Sequence, residues 1–186
     1  MVQLLHPRQT PRLTLRRFQI DDLDDLALIV GNDDVNRYLY SEPRDMEATT
    51  VMLQGLLDLP EETGDDNRLC VAVELGGEKR VIGEFLLWWT KNEHRQGEMG
   101  GSLHPDFHGR GFASEVYAEL LDLAFSDYGL HRVVGRCDAR NLPSVRSLDK
   151  VGMREEARFV ENEWVKGEWT DEIVMAIRKE EWDRRR

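Results

Sequence analysis

The chain has 186 residues, of which 40% are hydrophobic and 33% are charged, and its formal net charge is −11. This length and composition predict one globular domain over residues 1–186 and exclude a disordered or fibrous protein. The acidic balance argues against nucleic acid as a partner, because phosphate binding needs a basic face. No apolar run is long enough for a membrane span or a secretory signal. We therefore expect a cytoplasmic protein with no membrane partner.

The excess of negative charge falls mainly in residues 1–66. Such a region would attract a cationic partner at long range. The same carboxylates would equally well serve only to keep helix surfaces soluble. The two cysteines, Cys70 and Cys137, lie in apolar strand-like segments and are predicted to be reduced core thiols.

Hydrophobic periodicity predicts strands and helices in the first half of the chain. The first helix has a capping carboxylate at Asp21 or Asp22, and Gly31 ends it. The second helix stops before Pro60, and residues 60–67 are predicted to form a loop. In chain order the predicted elements are a strand at 12–18, a helix at 22–30, a helix at 48–59, and a hairpin of strands 68–75 and 81–89 that turns at 76–77.

The second half is predicted to contain a long helix, a short helix and further strands. Gly129 ends the long helix, and Pro143 opens the short one, where a missing N–H costs nothing. In chain order the predicted elements are a turn near 92–97, a strand at 98–103, a helix with core positions at 113–124, a strand at 131–138, a helix ending at 152, and two strands within 154–177. The order β-α-α-β-β-β-α-β-α-β-β predicts an α/β fold with helices on the faces of a mixed sheet.

Residues 103–115 join the end of a strand, a loop with two glycines and the start of a helix. Gly109 and Gly111 leave backbone N–H groups unobstructed, and the first amides of the helix add further free donors. Arg110 adds a positive charge in the same loop. These features predict a site for phosphate oxygens, although glycines before a helix often form only a tight turn.

Two other nucleotide-binding motifs fit less well. The dinucleotide fingerprint needs a third glycine where Ser114 stands and a parallel strand pair where this chain has hairpins. Asp138 does follow a strand, as the ribose-binding acid of that motif would, so the motif is weakened rather than eliminated. The mononucleotide loop needs a Gly-Lys-Ser/Thr run, which the sequence lacks.

No metal site is predicted. His104 and His108 have a spacing that zinc ligands use, but Pro105 breaks any helix that would align the two imidazoles, and no third ligand lies nearby. The pair Trp164 and Trp169 is predicted to belong to the core of the sheet rather than to a ligand site.

Two motifs resemble those of the GNAT acetyltransferases. The run His108-Gly-Arg-Gly111-Phe-Ala113 is similar to their Gln/Arg-x-x-Gly-x-Gly/Ala pyrophosphate loop. Residues 98–115 resemble the RimJ/RimL ribosomal-protein-alanine acetyltransferase branch, and residues 141–153 resemble that branch's Asn-x-x-Ser…Lys-x-Gly-Phe. The resemblance covers roughly residues 12–182 in the expected order of elements, which makes 12–182 the expected core of the domain.

The resemblance implies the GNAT fold, a mostly antiparallel splayed sheet flanked by helices. Acetyl-CoA is then expected between the strand that ends at Leu103 and the strand that starts near His131. The edge of the first strand would pair with the pantetheine amides, residues 108–113 would hold the pyrophosphate, and Asn141 would contact the pantetheine arm. The predicted cofactor-binding residues are Leu103, His108, Gly109, Arg110, Gly111, Phe112, Ala113 and Asn141.

The chain departs from the family pattern at two positions. His108 stands where the family usually has Gln or Arg, and Leu148 stands where many members have a tyrosine acid. In the RimJ/RimL branch the serine matching Ser144 takes the acid role, and the base candidate aligns with Glu163. Glu98, on the central strand, is the second candidate for the base. Each of these three also fits a purely structural role.

The resemblance therefore predicts an N-acetyltransferase that uses acetyl-CoA and a primary amine. A protein amino-terminal α-amine is the expected acceptor, because the RimJ/RimL branch resembles the chain most. A small cationic amine, such as a polyamine, an amino sugar or an antibiotic, is the alternative. The missing tyrosine acid also leaves open a non-catalytic acyl-CoA-binding regulatory module. The resembled family also includes members that form homodimers, and a homodimer is expected on that basis alone.

Overall fold

The computed structural model describes residues 4, 6–59, 66–90 and 94–185. Within this part of the chain the strands form one eight-stranded sheet of order β1-β2-β3-β4-β5-β6-β8-β7. The strands are β1 (Arg8–Gln9), β2 (Leu13–Arg16), β3 (Asp66–Leu75), β4 (Arg80–Thr90), β5 (Gln96–Leu103), β6 (Arg132–Asp138), β7 (Arg154–Val165) and β8 (Glu168–Arg178). The α-helices are α1 (Leu23–Val30), α2 (Asp33–Asn36), α3 (Met46–Leu57), α4 (Phe112–Asp122), α5 (Leu142–Lys150) and α6 (Lys179–Asp183).

The sheet is antiparallel except where β5 meets β6. These two strands pair in parallel over three residue pairs, of which the last joins Glu98 to Val134. β5 continues to Leu103 against β4 on its other side, so its far end diverges from β6. The splayed, mostly antiparallel sheet expected from the resemblance is confirmed. The dinucleotide fold, which needs a parallel sheet, is excluded.

Each face of the sheet has its own core. The larger core lies between the sheet and α4 and α5, and it includes Phe85, Met99 and Cys137. The smaller core packs α1 and α3 against Ala72 and Val81. Because side chains alternate along a strand, Glu98 and Arg136 face the side that carries α1–α3. The two sides of the splayed strands are thus chemically different.

Most of the predicted elements are present. The structure also contains three short elements that the sequence patterns did not predict. β1, α2 and α6 contain two, four and five residues, which is too few for a hydrophobic period to be visible in the sequence. The loop predicted at 60–67 is wrong at Asp66 and Asn67, which open β3, and residues 60–65 lie outside the described part. The turn predicted near 92–97 is wrong at Gln96 and Gly97, which belong to β5, and residues 91–93 lie outside the described part.

The predicted burial of Trp164 and Trp169 is wrong. They are 60% and 55% exposed, and their rings contact each other edge to face with centroids 5.3 Å apart. They pair near the turn of the β7–β8 hairpin. The cysteine prediction is confirmed, because both thiols are free, Cys137 buried and Cys70 partly buried. Among the described helices none has the length and hydropathy of a membrane span.

Candidate active site

A cavity of about 640 Å³ lies beside the diverging end of β5. It is lined by Ser102 and Leu103 of β5 and by residues of α4 and α5. The predicted site residues that line it are Leu103, His108, Gly109, Gly111, Phe112, Ala113, Asn141 and Ser144. Arg110, Glu98 and Glu163 are not among the lining residues. The structure therefore brings together the residues predicted around the cofactor but not all of those predicted for catalysis.

The glycine loop (residues 108–111) leads directly into α4. Gly109 and Gly111 have φ values of +71° and +80°, a region in which a side chain is strained. A Cβ atom on Gly111 would lie 3.4 Å from Nζ of Lys150 and 3.7 Å from Nη2 of Arg12. Two cations thus flank the point where the first amides of an 11-residue helix are free. This arrangement suits an anion with several oxygens.

Arg12, beside the cavity rather than among its lining residues, is a neighbour of the glycine loop that the sequence analysis missed. Its Nε donates to Oε2 of Glu115 at 2.7 Å, and its Nη1 donates to the carbonyl oxygen of Arg110 at 2.9 Å. Thr10 donates to the other carboxylate oxygen of Glu115 at 2.6 Å. Burial alone would raise the pKa of Glu115, but the hydrogen bonds from Thr10 and Arg12 outweigh it and lower the pKa. No sequence signal links these residues, because the contact spans 103 positions.

The two side chains of the glycine loop, those of His108 and Arg110, have partners within the chain. Nε2 of His108 lies 2.8 Å from the carbonyl oxygen of Leu103 and so ties the loop to the end of β5. A pantetheine amide that paired with this oxygen would share it with the imidazole, which a carbonyl with two lone pairs allows. The guanidinium of Arg110 stacks 4.9 Å from the ring centroid of Phe112 and 5.6 Å from that of Phe107. Arg110 therefore adds charge beside the cavity rather than within it.

Asn141 and Ser144 begin α5 at the inner end of the cavity. The side-chain oxygen of Asn141 accepts from the amide N of Ser144 at 3.2 Å and caps the helix, which leaves its NH₂ group available to a ligand. The side chain of Ser144 lies near those of Tyr117 and Cys137. Burial raises the pKa of both groups, that of Cys137 to about 11, so both stay protonated at neutral pH. Leu148, at the position of the missing tyrosine acid, is buried in the core.

The segment around α2 forms a wall of the cavity that the sequence analysis did not predict. Its lining residues are Asp34, Val35, Arg37, Tyr38 and Leu39. This segment contacts the β7–β8 hairpin, since Nζ of Lys166 donates to the carbonyl oxygen of Asn36 at 2.5 Å. It reaches the sheet on the side opposite α4 and α5, which leaves the cavity bordered from both faces.

Two carboxylates share one arginine on this opposite side. Nε of Arg136 lies 3.4 Å from Oε2 of Glu98, and its Nη1 lies 3.1 Å from Oε2 of Glu172. Burial raises the pKa of Glu98, the nearby guanidinium of Arg136 opposes this, and the charge of Glu172 raises it further. Glu172 is 2% exposed and was not predicted. Its only sequence signal is a carboxylate directly before the apolar run of β8, and this signal does not identify a partner.

Glu163 lies at an irregularity of β7. The pairing of β7 with β8 shifts register between Phe159 and Glu163, and Glu161 within this stretch has φ +49°. Glu163 is partly buried, and its Oε1 accepts from the side-chain amide of Asn162 at 3.1 Å. It therefore borders the same cluster as Glu172 without lining the cavity.

The residues weighed for other ligands have partners within the chain. Nδ1 of His104 accepts from the amide N of Asp106 at 3.3 Å, and His108 is bound to Leu103 as described above. Asp138 pairs with Arg140 at 2.7 Å. Within the described ranges, no group of three or more His, Cys, Asp or Glu residues is arranged to hold a metal ion.

Comparison with known families gives one match that covers most of the chain. The model of the acetyltransferase (GNAT) domain matches residues 12–154. Among curated proteins, the uncharacterized N-acetyltransferase p20 of Bacillus licheniformis is 30% identical over 174 residues, covering 93% of this chain and 96% of that protein. The spermidine N(1)-acetyltransferase of Vibrio cholerae is 26% identical over 166 residues, covering 89% of this chain and 92% of that protein.

Solved structures share the fold over nearly the whole chain. An acetyltransferase (GNAT family) from Bacillus anthracis superimposes with a TM-score of 0.83 at 26% identity, covering 95% of this chain and 100% of that one. RimJ of Mycobacterium smegmatis, solved in complex with CoA-disulfide, superimposes with a TM-score of 0.78 at 26% identity, covering 91% and 83%.

Proposed function

The chain belongs to the GNAT acetyltransferase family and is an N-acetyltransferase, and from this premise we propose that it transfers an acetyl group from acetyl-CoA to a primary amine. We place a protein amino-terminal α-amine first among the acceptors. Residues 1–186 would form a single catalytic domain. The observation on which the proposal rests is the cavity beside the diverging strands, which ends at the glycine loop and the start of α4.

The residues around this cavity fit acetyl-CoA. The free amides of α4, together with Arg12 and Lys150 beside Gly111, suit a pyrophosphate. The end of β5 beyond Glu98 is not paired with β6, so its backbone is open to the amides of a pantetheine arm. The free NH₂ group of Asn141 would donate to the same arm.

The acetyl donor, when bound, supplies an activated thioester, and the chain must manage the protons. An amine is mostly ammonium near neutral pH, so a base has to accept its proton. Glu98 suits this role because it lies at the fork of the sheet and burial raises its pKa. Glu163 is the alternative base. The Ser144 hydroxyl, at the inner end of the cavity, would donate a hydrogen bond to the departing sulfur.

The acceptor would enter from the side of α2. Asp34 and Arg37 on this wall offset each other, and the three carboxylates beside it, Glu98, Glu163 and Glu172, outnumber Arg136 and would favour a cation there. The likeness to RimJ at 26% identity supports a peptide amino terminus. The same carboxylates and the likeness to a spermidine N(1)-acetyltransferase support a polyamine as the second candidate.

The test is product detection by mass spectrometry with isotopically labelled acetyl-CoA. The acceptor panel pairs each peptide with its amino-terminally formylated form and includes polyamines, amino sugars and aminoglycosides. We expect an acetyl group on the free peptides and none on the formylated ones. Acetylated polyamine alone would select the second candidate. Binding of acetyl-CoA without any product would indicate a regulatory module, and no binding would overturn the proposal.

A further inference from the structure

Arg136 bridges two carboxylates that come from different strands. It extends from β6 to Glu98 on β5 at 3.4 Å and to Glu172 on β8 at 3.1 Å. The side chains of Glu172 and Glu98 are 3% and 20% exposed, whereas that of Arg136 is 43% exposed, so water screens both ion pairs only in part. Because one guanidinium pairs with both carboxylates, a change at Glu172 must alter the strength of the ion pair between Arg136 and Glu98.

Glu172 is held in place from three segments of the chain. Its Oε1 accepts from the Tyr40 hydroxyl at 3.2 Å, and its Oε2 accepts from Asn162 at 3.2 Å as well as from Arg136. Tyr40 follows α2, which borders the cavity, and Asn162 belongs to the irregular stretch of β7. Glu172 therefore fixes the position of Arg136 relative to Glu98.

The other titratable groups near this cluster act less directly on Glu98. Glu163 lies beside Asn162, and Asp138 is paired with Arg140. Tyr40, whose hydroxyl pKa is raised by burial and by these carboxylates, stays neutral. From β4 the neighbour of Glu98 is Trp88, which carries no charge. Arg136 and Glu172 are thus the charged groups that act most directly on Glu98.

We infer that Glu172 and Arg136 are positioning residues that set the proton affinity of Glu98, the base of the proposed reaction. The two act in opposite directions. Arg136 favours the carboxylate form of Glu98. The negative charge of Glu172 disfavours that form, and its ion pair with Nη1 of Arg136 weakens the interaction of the guanidinium with Glu98. The inference rests on the proposed function and adds to it a device that keeps a partly buried carboxylate basic enough to take a proton from an ammonium group.

The test measures the acidic limb of kcat against pH, with acetyl-CoA and acceptor saturating, so that it reports the bound enzyme. Glu172→Gln is expected to move the limb to lower pH by about one unit, and Arg136→Gln to move it to higher pH by a similar amount. Glu172→Asp, which keeps the charge, should stay near wild type. Glu161→Gln, an exposed acid on the same hairpin, is the matched control with an unchanged profile.

Carbon-13 NMR titration of the glutamate carboxyls gives the same quantity without turnover. The Glu98 signal is assigned by its loss in Glu98→Gln, and its midpoint should fall in Glu172→Gln and rise in Arg136→Gln. Shifts in the same direction, or no shift in either variant, would overturn the inference, as would equal loss of activity in Glu172→Asp and Glu172→Gln. Wild-type protein without turnover on any amine would refute the proposed function instead, while the titration would still decide the inference.

Discussion

The glycine loop before α4 and the wall around α2 border the same cavity, but they are built in different ways. The loop binds through backbone amides whose direction is set by two glycines with positive φ and by the first turn of a helix. The wall works through side chains that meet from distant positions, such as Tyr40 and Glu172, which are 132 residues apart. A backbone site depends on a short local sequence, whereas a side-chain site depends on how the whole sheet is assembled.

This difference predicts how the two regions respond to mutation. Changes in the glycine loop should affect the acetyl donor and leave acceptor chemistry intact once the donor is bound. Changes at Glu98, Arg136 or Glu172 should affect proton transfer and the acceptor, with little effect on donor affinity. A variant that altered both equally would show that the two sides are not separate.

The largest effect is expected for Gly111→Asp. A carboxylate at this position would occupy the space between Lys150 and Arg12 and repel a pyrophosphate, so acetyl-CoA binding should be lost. In wild type, acetyl-CoA at a hundredfold excess over Kd should stabilise the fold by about 2.7 kcal/mol, a shift visible in a thermal melt. Gly77→Asp is the matched control, because Gly77 has φ +84° in an open turn. It carries the same strain and charge and should bind normally. Normal binding by folded Gly111→Asp would place the phosphate site elsewhere.

The next effect separates the two candidate bases. Glu98→Gln should lower kcat by about 100-fold and remove the acidic limb of the pH profile, with little change in the Kd of acetyl-CoA. Glu163→Gln should leave most of kcat, since Glu163 lies at the irregular stretch of β7 with Asn162 as its partner and not at the point where β5 leaves β6. The reverse result would assign the base to Glu163. If neither variant lost activity, a chain of waters would suffice and catalysis would consist mainly of positioning.

A smaller effect is expected for Ser144→Ala. The thiolate is already a good leaving group, with an ordinary pKa near 8.5, so the loss of one hydrogen bond should lower kcat by about tenfold. Donor affinity should be unchanged in a binding titration, because the cap of α5 uses the backbone N–H of Ser144 and not its hydroxyl. Ser126→Ala, at an exposed serine, is the control. Unchanged kcat in Ser144→Ala would limit this residue to a structural role.

The smallest effect concerns Glu115, which holds the connection between β1 and β2 to α4 through Thr10 and Arg12. Its pKa lies below the ordinary 4.5, so its contribution to stability is complete above that pH and is lost as the pH falls through the lower folded value. Glu115→Gln should cost about 1 kcal/mol at pH 7. This corresponds to a Tm lower by about 2–4 °C, with less difference from wild type in acid. Glu78→Gln, exposed in the β3–β4 turn, is the control. A difference that did not shrink in acid would contradict the assignment.

The elements that sequence patterns predicted well are those with a local cause. The start of α4 at Phe112 follows from Gly111, and the cap of α5 follows from Asn141 and Pro143. The patterns failed at Trp164 and Trp169, because an apolar residue type does not tell which end of a hairpin is covered, and these two rings near the turn contact each other while staying more than half exposed. They also missed α2, whose four residues are too short to show a helical period.

The sequence by itself determined the glycine loop, the order of the longer strands and helices, and most of the residues around the proposed donor site. These features depend on φ, on helix ends and on side-chain alternation, which act over a few neighbouring residues. Only the tertiary structure decided that Arg12 and Lys150 flank Gly111 and that Arg136 joins Glu98 to Glu172. Such contacts depend on which strands become neighbours and where β5 leaves β6, and the free energy that selects this arrangement is distributed over the whole core.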